Sequence, residues 1–277
     1  MPGLLAVHAH PDDETLWTGA LLATWARTGD VEVVTCTRGE RGEVIGEALA
    51  HLEGDGPALA AHRESELAEA LAALGVARHA FLDEIADDGA PRAGARLEDS
   101  GMAWVAPGVA GPAAHAPASA FSRADLEDTA ALLASRLAAT EPAVVATYGP
   151  DGGYGHPDHV RTHEVAMRAV ARHVAAGRRA PAVLWAVPVH RVARVRAGGG
   201  PRVEVPVGPV ADRLAAAMRA HATQVQRVSV GAGVVDFALS NDTPQRAGPF
   251  EVYEPAPGPV RALAWPAGVE APGWPVP

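Results

Sequence analysis

Apolar and polar positions along this chain switch repeatedly between an extended and a helical period. The first apolar run, Leu4-Leu5-Ala6-Val7, has no polar alternation, as expected of a strand buried on both faces. It stops in His10-Pro11-Asp12-Asp13-Glu14. Pro11 cannot donate a ladder hydrogen bond and biases His10 towards an extended conformation. The strand therefore ends where side chains capable of chemistry begin. Residues 15–29 then read as a helix, with Leu16, Ala20 and Ala23 on one stripe and Gly29 as its stop. Residues 31–37 are β-branched and bounded by Asp30 and Gly39, which predicts a second strand. A helix over about 58–74 turns Leu59, Leu67, Leu71 and Leu74 inward, and residues 80–82 form a short third strand.

No period survives from 86 to 120, and a loop of that length is usually functional or disordered. Ser122 with Asp125 resembles a capping box opening a helix that Pro142 ends. Residues 143–148 are again a buried strand. They run into a glycine-rich loop and a second cluster, His156-Pro157-Asp158-His159, at the head of a helix reaching about Gly177. A strand at 183–187, a Gly/Pro-rich connection at 197–209, a helix from 211 to about 225 and strands near Val234 and Val252 complete the pattern. Strands alternating with helices predict an α/β fold: a Rossmann-like, largely parallel sheet flanked by helices, with its active site at the carboxyl ends of the strands. One domain over 1–255 is expected, its last third (about 183–255) a smaller mixed part, followed by a loosely attached Pro-rich tail at 256–277.

Composition narrows the function. The 277 residues are 48% hydrophobic and 20% charged, an ordinary globular balance. A net charge of −10 without any Lys/Arg-rich run argues against nucleic-acid or anionic-membrane partners. The single Cys36 excludes an internal disulfide, and no apolar run approaches membrane-spanning length. No signal peptide precedes the first strand, so a cytoplasmic protein is expected.

The two His-Pro-Asp clusters, each following a buried strand, read as halves of one metal site. His10 and Asp13 can converge on one ion and His159 can complete the set, leaving a position open for water. Asp12 should point elsewhere, either as general base on an activated water or as a carboxylate that only orients a ligand histidine. His156 could face the same cavity, as acid to a leaving amine or as a partner for an oxyanion. Asp158 could orient His156 or cap the following helix. Tyr154, on a loop made pliable by Gly152, Gly153 and Gly155, could reach an oxyanion or form an aromatic wall. His163 is a spare candidate read as packing, His8 a core histidine, and Cys36 buried and inert. The donor set suits zinc or ferrous iron equally.

Ala9-His10-Pro11-Asp12-Asp13-Glu14 with a distant His156-Pro157-Asp158-His159 resembles the LmbE-like, or PIG-L, metal-dependent deacetylases, which remove acetyl from N-acetylglucosamine units. Further stretches, among them Gly42-Glu43-Val44-Ile45-Gly46, Asp99-Ser100-Gly101-Met102 and His221-Ala222-Thr223-Gln224-Val225, are similar to the branch acting on glucosaminyl-inositol in mycothiol biosynthesis. The resemblance implies one Zn2+ on His10, Asp13 and His159, Asp12 as base, His156 as acid or electrostatic partner, and Tyr154 as oxyanion contact. It also implies that Arg63, Glu43 and Asp99 hold a small-molecule sugar–inositol. The rival within the family, a mycothiol S-conjugate amidase, tends to carry Lys and Pro where this chain has Leu16 and Gly155. Trp17-Thr18, the 86–120 loop and the C-terminal third depart from the family pattern.

Overall fold

The structure, a computed structural model, describes residues 3–86, 96–258 and 262–275. The chain opens with β1 (Leu4–His8), α1 (Asp13–Trp25), β2 (Val31–Thr35), α2 (Gly56–Leu74) and β3 (Arg78–Phe81). A hairpin of β4 (Met102–Ala106) and β5 (Val109–Pro112) precedes α3 (Leu126–Thr140), β6 (Val144–Tyr148), α4 (Pro157–Ala175) and β7 (Ala182–Ala186). Then come α5 (Val189–Ala197), β8 (Val203–Pro206), α6 (Ala211–Ala220), β9 (Gln226–Gly231), β10 (Val234–Ala238), β11 (Pro244–Ala247) and β12 (Phe250–Pro255).

Seven strands form the main sheet in the order β3-β2-β1-β6-β7-β12-β8. The first five are parallel, while β12 runs antiparallel to both β7 and β8. Every residue of β1, β2 and β6 is buried, because helices cover both faces. Alternation along β1 divides the core: Leu4 and Ala6 join α1, α2 and α6 on one face, and Leu5 and Val7 join α3 and α4 on the other. The α/β sheet is thus the one the periodicity predicts. The chain winds outward from β1 through β2 to β3, then crosses back to β6 and β7. The carboxyl ends of β1 and β6 therefore flank the point where strand order reverses, which opens a crevice.

Several expectations need correction. Helix α1 begins at Asp13 rather than 15 and ends at Trp25, so Gly29 lies beyond it. The stretch 86–120 is not without structure: β4 and β5 pair within it, although residues 87–95 lie outside the described residues. Ser122 caps nothing; Asp125 accepts the Asp128 N–H at 3.0 Å as the N-cap of α3, and Ser122 instead bonds Ser100. The Gly/Pro-rich connection at 197–209 contains β8, and α6 ends at Ala220, well short of 225. Residues 262–275 of the tail are packed rather than loose. Trp265 meets Trp25 and Trp274 edge to face, and Glu270 pairs with Glu204 of β8. No helix among the described residues is long and apolar enough to cross a membrane.

One buried carboxylate ties the sheet to α1. Glu251 of β12 accepts the backbone N–H groups of Ala20 at 2.6 Å and Leu21 at 2.9 Å, and the Tyr253 hydroxyl at 2.7 Å. Burial pushes its carboxyl from 4.5 up to about 7, the three donors notwithstanding. A carboxyl raised in the folded state stabilises fully below its unfolded value, and that contribution is lost as pH rises through about 7. Thermal melts of wild type and Glu251→Gln at about pH 5 and about pH 8 should therefore differ in slope. Wild type should lose up to about 3 kcal/mol relative to the variant across that range. Parallel pH dependences would contradict the burial account.

Candidate metal centre

Two chain reversals build the site. After β1, the Ala9 N–H donates to the Tyr148 hydroxyl at 3.0 Å, and the chain turns at Pro11. Asp12 sits at φ 115°, a region L-residues rarely adopt, which costs on the order of 1–3 kcal/mol. Its carbonyl accepts the Thr15 and Leu16 N–H groups at 3.0 and 2.9 Å, so its backbone starts α1 while its side chain makes no capping bond. Asp13, the first helical residue, accepts the His10 N–H at 2.9 Å through Oδ2. After β6, the chain turns through positive-φ Gly152, Gly153 and Gly155 to His156, the N-cap of α4. Close packing accounts for these glycines. A Cβ at Gly153 would strike Trp17, and one at Gly155 would lie 2.6 Å from the Ala110 carbonyl of β5.

The reversals bring His10, Asp13 and His159 together. His10 Nδ1 lies 3.3 Å from Asp13 Oδ2, and His159 Nε2 lies 3.3 Å from Asp13 Oδ1. The far nitrogens are occupied: His10 Nε2 faces Asp158 Oδ2 at 3.2 Å, and His159 Nδ1 faces the Gly152 carbonyl at 3.2 Å. A neutral imidazole carries one N–H and one lone pair. With the N–H groups spent on Asp158 and Gly152, both lone pairs point at the Asp13 carboxylate. Such an arrangement is repulsive unless protons or a cation lie among the three groups. The donors therefore fit a divalent metal, with Asp158 in the orienting role often seen behind a ligand histidine.

Asp158 thus neither orients His156 nor caps the helix with its side chain, as the sequence suggested. It is fully buried; its Oδ2 accepts the Ser100 N–H at 2.8 Å and faces His10, and its Oδ1 accepts the Ser100 hydroxyl. His156 is the capping side chain: its Nδ1 accepts the Asp158 N–H at 3.1 Å. Its proton must then reside on Nε2. Although ligand atoms of His10, His156 and His159 lie within 4.8 Å of one another, a neutral His156 bonded this way has no lone pair left for a metal. It can donate from Nε2.

Electrostatics follow from dense burial. Burial disfavours charge on His10, yet Asp99 and the bonds to Asp13 and Asp158 raise it well above the usual imidazole range. Burial opposes charge on Asp13 too, but His159 and His10 hold it well below the carboxylate range. Asp12 is pushed up to about 6, chiefly by burial, with Arg63 opposing and Asp13 reinforcing. Burial, then His10 and His159, drive His156 down to about 2. Tyr154 is raised by burial and by Asp13, so its phenol keeps its proton. Its ring stacks over Trp17 and neighbours His159 at 5.1 Å and His156 at 6.1 Å.

The expected substrate contacts divide. Asp99 reaches the centre, with Oδ1 3.6 Å from His10 Nε2 and Oδ2 accepting the Arg41 N–H at 3.3 Å. Arg41 also lines a cleft of about 510 Å³ with Glu40, Glu53, Pro57, Arg96 and Glu98. Arg63 is buried, its terminal nitrogens donating to the Pro11 carbonyl and, at 2.7 Å, to that of Gly39; its Nη2 also lies 3.5 Å from Asp12. Glu43 is exposed, and its backbone carbonyl accepts from Gln224 at 2.9 Å. His8 bonds Thr18 at 2.8 Å, His163 bonds the Tyr148 carbonyl at 2.9 Å, and the buried Cys36 thiol is pushed up to about 12.

Sequence reasoning missed Tyr148 and Ser100. The Tyr148 ring stacks on His159 with centroids 4.2 Å apart, and its hydroxyl bonds Asp13. A polar aromatic ending a buried strand just before the glycine loop was the available signal. Ser100 lies in the Asp99–Met102 stretch marked by resemblance, but nothing there pointed to its bond with Asp158.

A family model described as PIG-L, GlcNAc-PI de-N-acetylase, matches residues 5–170. A protein of Kineococcus radiotolerans is 42% identical, the alignment covering 90% of this chain and 76% of that one. One from Mycobacterium sp. (strain KMS) is 43% identical, covering 96% and 88%. Both are named 1D-myo-inositol 2-acetamido-2-deoxy-alpha-D-glucopyranoside deacetylase. Among solved structures, a deacetylase–teicoplanin complex is similar with TM-score 0.52 and 23% identity, over 79% of this chain and 86% of that one. GalB, the 4-carboxy-2-hydroxymuconate hydratase from Pseudomonas putida KT2440, is similar with TM-score 0.55 and 23% identity, over 80% and 79%. At that identity the likeness concerns the fold alone.

The orienting role of Asp158 is open to test. Asp158→Ala deprives His10 Nε2 of its acceptor and should weaken metal binding about 10–100-fold, read by zinc titration against a competing chelator. Unchanged affinity would remove Asp158 from the site.

Proposed function

The chain belongs to the PIG-L family of GlcNAc-PI de-N-acetylases, and from that premise we propose that this deacetylase hydrolyses 1-O-(2-acetamido-2-deoxy-α-D-glucopyranosyl)-myo-inositol to the free amine and acetate. The observation carrying the reading is the convergence of His10 Nδ1 and His159 Nε2 on the two oxygens of the Asp13 carboxylate, each at 3.3 Å. The substrate rests on the relatives named for that reaction, at about 42–43% identity over nine-tenths or more of this chain. His10 Nδ1, Asp13 and His159 Nε2 are the proposed ligands of zinc, with ferrous iron equally suited to the donor set. Zinc bound there would lower the pKa of a water and polarise the acetamide carbonyl.

The chain's own groups do the rest. Asp12, whose side chain is free of the helix cap, takes the water's proton as general base and passes it to the departing amine nitrogen. His156 donates from Nε2 to the oxygen that becomes an oxyanion, and protonated Tyr154 supplies a second donor. With Nδ1 engaged by the Asp158 N–H, His156 is better read as an oxyanion partner than as the acid. Asp99 and Glu43 offer acceptors to sugar and inositol hydroxyls, and the carboxylates and guanidinium groups lining the cleft beside Arg41 suit a polyol. Arg63, committed to two backbone carbonyls, serves the sugar by holding the Pro11 turn. Small-molecule chemistry of this kind is consistent with a cytoplasmic site of action.

Acetate release from the glucosaminyl-inositol at defined zinc loading tests the reading, with a mycothiol S-conjugate as the competing substrate. Faster cleavage of the conjugate would overturn the substrate assignment and leave the amide hydrolysis. Asp12→Ala should keep its zinc and lose about 10²–10⁴-fold in kcat. A variant as active as wild type would remove Asp12 from the reaction.

A further inference from the structure

Glu14 and His221 ligate nothing in this account, yet both are fully buried and meet across 207 positions of sequence. Glu14 Oε1 faces His221 Nε2 at 2.7 Å and accepts the Thr15 hydroxyl at 2.5 Å. Glu14 Oε2 accepts the backbone N–H of Asp12 at 2.9 Å, the residue held at φ 115°. The His221 end is itself fixed. It follows α6, its carbonyl accepts the Gln224 and Val225 N–H groups, and the N–H and hydroxyl of Thr223 bond Glu66 of α2 at 2.7 and 2.6 Å. His221 Nδ1, also buried, has no hydrogen-bond partner among the described residues, so the imidazole is held mainly through its contact with Glu14.

We propose that the Glu14–His221 pair is a positioning device that keeps Asp12 in its strained backbone conformation, so that its carboxylate faces the reacting water while Asp13 faces the metal. The proposal rests on the reading of Asp12 as base. Two neighbouring carboxylates must serve two directions, and the positive φ at Asp12 separates them. Arg63, bonded to the Pro11 carbonyl, holds one side of that peptide turn, and Glu14 holds the other.

The test is a double-mutant cycle on zinc-loaded enzyme with the sugar–inositol as substrate. His221→Ala should lower kcat tenfold or more with zinc content and KM unchanged. His221→Gln, whose amide can still donate to Glu14, should recover much of the loss. In an Asp12→Ala background, His221→Ala should have no further effect, because the group it positions is gone. Should His221→Ala not fold, His221→Asn, too short to reach Glu14, takes its place in the cycle. Wild-type kcat in the folded variant, or a full additional loss in the Asp12→Ala background, would overturn the proposal. Full turnover in Asp12→Ala alone would instead overturn the base reading, and the positioning of that base with it.

Discussion

The structure depends on bringing two imidazole nitrogens and a carboxylate into one small volume. Nothing favours that arrangement by itself; the parallel pairing of β1 with β6 imposes it. Leu4, Leu5 and Ala6 align with Val144, Val145 and Ala146, so the polar residues following each strand must emerge side by side. Helices on both faces bury these strands and keep water from the backbone between the clusters. The hydrophobic core therefore offsets the cost of an electrostatically unfavourable centre. The centre in turn gains from a cation.

Around it, each polar group constrains the next. Gly152 and Asp158 hold the far nitrogens of His159 and His10, and Ser100 holds Asp158. The Asp158 N–H fixes His156, leaving that ring a donor. Asp12 stands apart, free of the helix cap and strained, with burial lifting it into the range where a carboxylate can exchange a proton near neutrality. Structure and chemistry share one economy here, since the same reversals that close the core aim the donors.

The sequence carried much of this, for identifiable reasons. Strands buried on both faces must be continuously apolar, and Pro11 and Pro157 mark where they give way to chemistry, so β1, β6 and the paired clusters were readable. Proton positions were not, because they depend on a backbone carbonyl and a serine far from either motif in sequence. The β4–β5 hairpin escaped notice because Trp104 and Val105 are exposed and break the usual alternation. Strand β8 hid among glycines and prolines, and the packing of Trp265 and Trp274 was masked by the proline-rich composition around them. The stretch opening at His221 stood out by resemblance, but its contact with Glu14 was not readable because the partner lies 207 positions away.

The most direct measurement of the central claim is anomalous diffraction at the zinc edge from metal-loaded crystals. The account places the ion about 2.0–2.2 Å from His10 Nδ1, an Asp13 oxygen and His159 Nε2, with His156 uncoordinated. An ion bound through His156, or on the His10 Nε2 side between Asp99 and Asp158, would contradict it.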